Sequence, residues 1–333
     1  MDGSAKIGVT GGSGFIGTRL CQRLDQADVP FSIYDKVESD AFGDRSVVGD
    51  VRDLEPLTAW MGSVDAVIHL AAEHRDDVRP RSLYDEVNVD GARRVCEAAR
   101  ASGVNCIVFT STVAVYGFAP VGTDESGEIA PFNDYGRTKA EAEAVFRAWQ
   151  AESPDERCLV VVRPTVVFGE QNRGNVYNLL KQIASGRFVM VGHGQNRKSM
   201  AYVENVAALL EYALGFVAGV HIYNFIDKPD FSMNDLVRAV NQRLGRGDRI
   251  GIRLPYWLGY GLGLGFDGLA KLLGRSLTIS SIRVKKFCSD TVFETAVGET
   301  GFRSPVGLED ALDQTIQHEF LEDHGGERVF YSE

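Results

Sequence analysis

Residues 10–17 read Thr10-Gly11-Gly12-Ser13-Gly14-Phe15-Ile16-Gly17, between an apolar run at Lys6 to Thr10 and a helical pattern at Phe15 to Gln26. In such a turn, the first glycine permits a sharp bend, the second admits a pyrophosphate, and the third lets helix and strand pack closely. The helix N-terminus favours the phosphate charge. This order predicts a dinucleotide site. Its expected contacts are Gly11, Gly14, Phe15, Ile16 and Gly17.

Two acidic residues follow later strands and are candidates for binding the adenosine. Asp35 comes directly after the predicted strand Phe31 to Tyr34. A carboxylate there can accept hydrogen bonds from the ribose hydroxyls and repels a 2′-phosphate, so NAD is expected rather than NADP. The adjacent Lys36 could weaken that preference. Asp50, with Val51 beside it, follows a third predicted strand, where an acid can reach the adenine amino group; a helix N-cap is the alternative for Asp50.

Short β-branched runs alternate with helical patterns through the first half of the chain, which predicts an α/β fold with a doubly wound parallel sheet. After about Val166 the sequence becomes richer in Asn, Gly and basic residues. We therefore expect a nucleotide-binding domain over residues 1–165, including about 200–226, and a smaller substrate lobe over 166–333. The further predicted strands are Ala66 to His69, Cys106 to Thr110, Leu159 to Arg163 and Val220 to Phe225. The further predicted helices are Val87 to Ser102, Tyr135 to Gln150, Met233 to Leu244, capped by Ser232, and Leu308 to Phe320.

The composition limits the partners of the chain. Its 333 residues are 44% hydrophobic and carry a formal net charge of -11, which argues against broad binding to nucleic acid or anionic membranes. The five cysteines lack metal-ligand spacing, so we predict reduced thiols, a cytoplasmic location and no metal site. The most apolar stretch, Leu254 to Leu273, is interrupted by glycines, Asp267 and Lys271. It predicts no membrane insertion, although a membrane-surface role stays open.

Tyr135 and Lys139 are the candidate catalytic pair. Four residues apart on a helix, they share one face, where the ammonium should lower the tyrosine pKa from about 10 and let Tyr135 exchange protons with a substrate alcohol or carbonyl. Ser111 and Thr112 end a buried strand, at the edge where α/β sheets bind ligands. Thr112 is the preferred partner for the reacting oxygen, with Ser111 as the alternative; simple capping of the strand end is also open.

Several motifs together resemble the extended short-chain dehydrogenase/reductase superfamily, and in particular its nucleotide-sugar epimerase/dehydratase family. Besides the glycine turn, they are His69-Leu70-Ala71-Ala72, Val87-Asn88-Val89-Asp90-Gly91, Ser-Thr-x-x-Val-Tyr-Gly from Ser111, Tyr-x-x-x-Lys from Tyr135 and Arg-Pro-x-x-Val-Phe-Gly from Arg163. The resemblance implies a Rossmann-type fold and a catalytic triad of Thr112, Tyr135 and Lys139. It also implies that Lys139 bonds the nicotinamide ribose and that Leu70, Ala71 and Ala72 line the cofactor. Asn88 would support that site or serve its own helix.

Departures from the family pattern narrow the reaction. Val113 and Ala114 replace the Asp-Glu pair of the 4,6-dehydratases, and Val166 replaces an Asn usual in galactose-type 4-epimerases. Lys198 takes the place of a basic residue that holds the substrate phosphates. The expected substrate is a UDP-hexose-like nucleotide sugar, changed at C4 by a 4-epimerase or a 4-ketoreductase. Its expected contacts are Ser111, Thr112, Arg173, Asn175 and Lys198.

Two other functional classes stay open, together with one interface. A hydroxysteroid- or flavonoid-type ketone reductase would use Leu254 to Leu273 as a hydrophobic pocket, and a dinucleotide-sensing protein would bind without catalysis. In relatives, helices at about 88–102 and 136–151 pair into a dimer, so a homodimer is expected. Their apolar residues could instead all face the sheet of the same chain.

Overall fold

The computed structural model describes residues 5–75, 78–273 and 281–331. Its strands are β1 (Ile7–Thr10), β2 (Phe31–Asp35), β3 (Ser46–Val48), β4 (Ala66–His69), β5 (Cys106–Thr110), β6 (Cys158–Pro164), β7 (Val166–Phe168), β8 (Val189–Val191), β9 (Arg197–Tyr202), β10 (Gly219–Phe225), β11 (Asp227–Ser232) and β12 (Ile252–Leu254). Its helices are α1 (Phe15–Gln26), α2 (Leu54–Met61), α3 (Ser82–Tyr84), α4 (Gly91–Ser102), α5 (Asp134–Ala151), α6 (Asn175–Ala184), α7 (Val203–Tyr212), α8 (Met233–Arg243), α9 (Tyr256–Leu273), α10 (Ser281–Cys288) and α11 (Leu308–Phe320).

Seven parallel strands form the main sheet, in the order β3-β2-β1-β4-β5-β6-β10. The strand order reverses between β1 and β4, and the carboxyl ends of the strands on either side of this point border a crevice. Ligands of doubly wound sheets bind in such a crevice. The predicted α/β fold with a Rossmann-type sheet is confirmed.

Helices cover both faces of this sheet. α1 and α7 pack on one face, where Leu20, Leu24 and Val206 are fully buried. α2, α4 and α5 pack on the other. The apolar residues proposed for a dimer interface lie in this second layer, so most of them serve the core of their own chain. Val95, Ala98, Ala142, Phe146 and Trp149 are fully buried, and Val145 is partly buried.

Most of the chain after β6 forms a smaller α/β lobe. β11, β9 and β7 make a three-stranded sheet, and β8 pairs with β12. α6, α8 and α11 pack around a shared apolar cluster that includes Leu180, Leu236 and Leu312. β10 leaves this lobe and joins the main sheet beside β6. The exact division of the chain into domains stays a prediction.

α9 and α10 form an outlying pair of helices that pack on each other and reach the lobe near β8. Unlike the other long helices, α9 carries many exposed apolar side chains. No helix within the described ranges is long and apolar enough to cross a membrane. The five cysteines carry free thiols.

Candidate active site

A cleft of about 1130 Å³ runs across the carboxyl ends of the main strands. One end lies against the glycine turn and Asp35, and the middle is lined by Thr112, Tyr135 and Lys139. The other end reaches α10 and two exposed aromatic residues, Phe118 and Phe132. The cleft thus brings the predicted dinucleotide site and the predicted catalytic residues into one continuous space.

The glycine turn forms one wall of this cleft. Gly11 has a φ of +74°, and a Cβ there would lie 2.6 Å from the backbone nitrogen of Ala71. A Cβ on Gly17 would collide with the carbonyl oxygen of Gly11. Gly14 caps α1 without a side-chain hydrogen bond, so the first-turn N–H groups of the helix are not taken by a capping side chain. Phe15 and Ile16 line the cleft beside it. This wall fits a pyrophosphate held by backbone N–H groups.

Asp35 lines the same end of the cleft, and the backbone orients its carboxylate. Ser13 N–H donates to Oδ2 at 3.0 Å, and Val37 N–H donates to Oδ1 at 3.2 Å. Lys36 turns its ammonium toward Glu73 at 3.4 Å and Asp50 at 3.9 Å. Lys36, whose charge could weaken the preference for NAD over NADP, is therefore paired with acidic side chains of the protein itself.

Asp50 does not line the cleft, whereas its neighbour Val51 does. Arg52 holds both Asp50 carboxylate oxygens, with Nη2 at 2.7 Å and Nε at 3.0 Å. Burial raises the pKa of Asp50, but the hydrogen bonds and charges of Arg52 and Lys36 outweigh it and lower that pKa. α2 begins after Asp53 and not after Asp50, so Asp50 is not its N-cap. The structure therefore shows neither of the two roles considered for the Asp50 carboxylate.

The segment Leu70-Ala71-Ala72 lines the middle of the cleft. Asn88 stands behind it, fully buried and outside the lining. Its Oδ1 accepts from Glu73 N–H at 2.8 Å, and its Nδ2 donates to Glu73 O at 2.9 Å and to Thr138 Oγ1 at 3.0 Å. Asn88 thus ties the segment after β4 to the helix that carries Tyr135, which is a positioning role.

The three proposed triad residues meet in the middle of the cleft. The Thr112 side chain lies close enough to the Tyr135 hydroxyl to lower its pKa, and Lys139 Nζ lies 4.3 Å from the centre of the Phe109 ring. Burial raises the pKa of Tyr135 to about 12, and the interaction with Thr112 opposes this rise with a smaller effect. Burial lowers the pKa of Lys139 to about 7, against an opposing effect of Glu143. The expected lowering of the tyrosine pKa by Lys139 is not found: Lys139 does not contribute to the shift of the Tyr135 pKa, which the desolvation of Tyr135 dominates.

Behind the triad lies a buried polar network that the sequence reasoning missed. Glu143 Oε2 accepts from Arg163 Nη2 at 2.6 Å, and Glu143 Oε1 accepts from Arg163 Nε at 2.8 Å and from Ser111 Oγ at 2.5 Å. Arg163 Nη1 donates to the Tyr116 hydroxyl, which donates to Asn224 Oδ1 at 2.8 Å. The Ser111 hydroxyl therefore uses its proton in the hydrogen bond to Glu143. The geometry thus favours Thr112 over Ser111 for contact with a substrate oxygen. The available signal was the spacing of Tyr135, Lys139 and Glu143, four residues apart in turn.

Val113, Ala114 and Val166 all line the cleft. Val113 and Ala114 belong to a short 3₁₀ turn directly after Thr112, whose Oγ1 accepts from Ala114 N–H at 3.1 Å. None of these side chains can move a proton. The departures from the dehydratase and galactose-type patterns therefore fall on the cleft itself.

Lys198 and Arg173, the basic residues predicted to contact the substrate, are less available for binding a phosphate than the sequence implied. Lys198 lines the cleft, but its Nζ donates to Lys286 O at 2.8 Å, Ser289 O at 2.7 Å and Thr291 Oγ1 at 3.0 Å. Burial lowers the pKa of Lys198 to about 8. Arg173 does not line the cleft and pairs with Glu319 at 2.7 Å, whereas Asn175 does line it.

Comparison with known proteins shows which family this chain resembles. Residues 7–225 match the NAD dependent epimerase/dehydratase family. The chain is 49% identical to the N-acetyl-alpha-D-glucosaminyl-diphospho-ditrans,octacis-undecaprenol 4-epimerase of Escherichia coli O157:H7, across 97% of this chain and 98% of that protein.

The chain belongs to the NAD dependent epimerase/dehydratase family. The resemblance drawn from its motifs is confirmed, and so is NAD as the cofactor, since it is the cofactor of this family. The glycine turn and Asp35 are the residues that would hold it.

Other members of the epimerase/dehydratase family are more distant. A UDP-glucose 4-epimerase of Vibrio cholerae is 27% identical, across 93% of this chain and 94% of that protein. The solved UDP-glucuronic acid 4-epimerase of Bacillus cereus in complex with NAD is 18% identical, with a TM-score of 0.71 across 94% of this chain and 98% of that one. That structural likeness supports the fold.

Proposed function

We propose that this chain is an NAD-dependent 4-epimerase that inverts C4 of a sugar joined through a diphosphate to a larger carrier. The observation that carries the proposal is the meeting of Thr112, Tyr135 and Lys139 in the cleft that also holds the glycine turn. The relatives from Escherichia coli O157:H7 and Vibrio cholerae, both named as 4-epimerases, support this choice over a 4-ketoreductase. The division into a nucleotide-binding domain and a substrate lobe belongs to the same proposal.

We further propose that the carrier is a polyprenyl lipid. The relative named for a diphospho-undecaprenol substrate is 49% identical over almost the whole chain, against 27% for the UDP-glucose 4-epimerase. The substrate end of the cleft has an apolar and basic mouth, with Phe118, Phe132 and Ile282 beside Lys285 and Lys286. The diphosphate is common to both carriers, so the UDP-sugar predicted from the sequence is the alternative that experiment must separate.

The residues at the centre of the cleft have distinct roles in this reaction. NAD, when bound, would supply the acceptor and the donor for the C4 hydride. Tyr135 takes the proton of the C4 hydroxyl as the C–O single bond becomes a carbonyl, and it gives the proton back when the hydride returns to the other face. Thr112 donates a hydrogen bond that orients the C4 oxygen. Lys139 stabilises the tyrosinate and would bond the nicotinamide ribose.

The proton step explains why the pKa of Tyr135 matters. In the structure that pKa is raised to about 12 by burial, which leaves Tyr135 protonated at neutral pH. The first proton transfer needs the tyrosinate, so positive charge close to the hydroxyl is required when the substrate is bound. Lys139 is the cation on the same face of α5, and its ammonium is retained below about pH 7.

Tyr135→Phe tests the assignment of the catalytic residues. We expect turnover to fall by about two to four powers of ten, the usual contribution of general acid–base catalysis, with the NAD content of the purified protein unchanged. The measurement is conversion of N-acetylglucosaminyl-diphospho lipid with a short prenyl chain, set beside conversion of UDP-N-acetylglucosamine. Tyr84→Phe, which alters a buried tyrosine that lies outside the cleft, is the control.

The outcomes separate the alternatives. Conversion of the lipid-linked sugar without net change in NADH absorbance supports the 4-epimerase with a lipid carrier. Preference for UDP-N-acetylglucosamine would overturn the lipid carrier alone. Steady consumption of NADH on addition of the corresponding 4-keto sugar, without conversion of the C4 alcohols, would favour a 4-ketoreductase. Near-normal turnover in Tyr135→Phe would refute the catalytic assignment.

The homodimer and the cytoplasmic location belong to this proposal as well. Since most apolar residues of α4 and α5 are buried in their own chain, a dimer through these helices would use their exposed and largely charged faces. Light scattering coupled to gel filtration would measure the mass directly, and a monomer would contradict the dimer.

A further inference from the structure

One face of α9 is apolar and is not covered by any other part of the chain that the structure describes. Trp257 is 73% exposed and Leu264 52% exposed; Tyr256, Leu258, Leu262 and Leu269 are exposed as well. A Cβ on Gly261, Gly265 or Gly268 would meet no atom within 4 Å among the described residues, apart from its chain neighbours and the backbone of α9 itself. Contiguous exposed apolar surface on this scale marks an interaction site in most proteins.

Charge is nearly absent from this face. Between Tyr256 and Lys271 the charged residues are Asp267 and Lys271. Asp267 is half-buried and turns toward α10, where it accepts from Ser281 N–H at 3.2 Å. Lys271 is exposed at the end of the described face. The surface is therefore suited to an apolar environment along most of its length.

α10 adds positive charge beside this face. Its residues Ser281 to Cys288 include Arg283, Lys285 and Lys286, all exposed, and no acidic residue. The whole chain has a net charge of -11, so this concentration of cations runs against its composition. An apolar helix face next to lysine and arginine side chains is the pattern of a protein surface that lies on an anionic lipid interface.

The basic helix leads directly into the cleft. Ile282, Lys285 and Lys286 line the substrate end. Lys286 Nζ lies 4.4 Å from the centre of the Phe132 ring, and Phe132 packs on Phe118 with ring centres 4.7 Å apart. An apolar and cationic path thus runs from α9, over α10, to the mouth of the cleft.

The protein holds α10 firmly in this place. Lys198 of β9 donates to the carbonyl oxygens of Lys286 and Ser289, at the C-terminal end of α10. Asp267 accepts from the first N–H group at the other end. Gly259 of α9 allows close contact with β8, since a Cβ there would lie 2.5 Å from Val191 Cγ1. The helix pair is therefore a fixed surface on the lobe.

We propose that α9 and α10 form a docking surface for the headgroup region of an anionic phospholipid bilayer, with the apolar face of α9 lying in the membrane interface. This inference rests on the proposed lipid-linked substrate and deepens it, because docking would place the mouth of the cleft at the level of the substrate diphosphate. The basic rim and its continuity with the cleft favour a bilayer over a second copy of the chain as the occupant.

Vesicle flotation tests the surface in the absence of any substrate. The full chain with its bound NAD is mixed with vesicles of phosphatidylcholine alone or of phosphatidylcholine with phosphatidylglycerol. We expect binding to the anionic vesicles, and we expect Leu264→Glu to weaken it about tenfold or more, because the variant puts a charge where a leucine would be buried in lipid. Val217→Glu is the matched control, since Val217 is 75% exposed and lies outside both the helix pair and the cleft.

A turnover assay separates this inference from the proposed function. Leu264→Glu should slow conversion of the lipid-linked sugar embedded in vesicles and leave conversion of the same sugar on a short, water-soluble prenyl chain unchanged. Absence of wild-type binding to both vesicle types, or equal weakening by Val217→Glu, would overturn the docking surface while soluble-substrate turnover still supports the epimerase. If Leu264→Glu lowers the mass of the assembly in solution and leaves vesicle binding unchanged, the apolar face of α9 contacts a second copy of the chain, and the inference is overturned.

Discussion

Glu143 lies one helical turn beyond Lys139, and both of its oxygens are committed to buried donors. Arg163 and Glu143 form an ion pair at 2.6 Å with side chains only 1% and 3% exposed. Removing one charge of such a pair leaves the other buried without compensation. Glu143→Gln should therefore lower the free energy of unfolding by about 3–5 kcal/mol, measured by urea unfolding.

The matched control for that variant is Glu141→Gln, on the same helix. Glu141 pairs with Arg137 at 2.9 Å in a largely exposed position. Exposed pairs of this kind contribute about 0–1 kcal/mol, so the control should unfold close to the wild type. Equal losses in the two variants would show that the buried network is not a special source of stability.

His69 is a buried group whose protonation opposes folding. It shares a 2.7 Å hydrogen bond with Thr10, and burial lowers its pKa to about 3. The unfolded chain would take up this proton near pH 6.5, so between these two pKa values the unfolded state binds more protons. Stability from this group is complete above about pH 6.5 and is lost as pH falls toward 3; at pH 5 the loss is about 2 kcal/mol.

His69→Gln checks this pH dependence, because glutamine can still hydrogen-bond Thr10 but does not titrate. Denaturant unfolding at pH 7 and pH 5 should show a smaller loss of stability in the variant than in the wild type. His193→Gln, at an exposed position, should behave as the wild type does. The same acid sensitivity in His69→Gln would show that other groups carry the effect.

At the scale of single elements, the sequence predicted the strands and helices whose pattern is set locally. α1, α11, β4 and β5 have the predicted bounds, and Ser232 caps α8 by accepting from Asp235 N–H at 3.2 Å. The helix expected from Val87 instead passes through a π-helical turn at Asp85–Asp90 before α4 begins. The pattern of Leu254 to Leu273 indicated an apolar segment, but whether another element covers a helix depends on tertiary packing, which no local pattern records.

The site shows the same division between local and long-range information. The glycine turn, Asp35 and the pair Tyr135 and Lys139 are each recognisable within a few residues of sequence. The network around Glu143 joins residues 20 and 32 positions apart, and Tyr116 meets Asn224 across 108 positions. Lys198 shows the limit of local patterns most clearly. The sequence shows that this residue is a cation, but the three oxygen atoms that accept its hydrogen bonds belong to residues about 90 positions downstream.

At the scale of the whole molecule, distant parts of the chain close the dinucleotide end of the cleft. Residues 328–331 line it opposite the glycine turn, and the Phe330 and Phe15 rings lie 5.8 Å apart. Phe330 N–H donates to Gln171 O at 2.8 Å, and Phe330 O accepts from Arg173 N–H at 2.7 Å. These backbone hydrogen bonds do not depend on the side chain of Phe330, and we expect them to persist when that side chain is changed. The Phe330 ring can therefore be tested as part of the cleft wall without loss of the segment's position.

Phe330→Ala tests the contribution of this wall. Loss of an aromatic contact should weaken NAD binding about tenfold, equivalent to about 1.4 kcal/mol, and lower the amount of NAD that stays with the protein during purification. The measurement is the NAD released on denaturation, together with titration of NAD into stripped protein. Leu321→Ala changes an exposed residue outside the cleft and should retain NAD as the wild type does. Unchanged NAD retention in Phe330→Ala would leave the segment without a role in the site.

The contact between Phe15 and Phe330 has a consequence for how the molecule comes apart. The two rings are 315 positions apart in the sequence, yet both border the space that a dinucleotide would fill. A ligand that binds only the folded chain stabilises it in proportion to the logarithm of the ligand concentration. Bound NAD would therefore contact both lobes and raise the free energy of unfolding of the whole chain. Removal of NAD should lower the melting temperature of both lobes, including regions that do not contact the ligand.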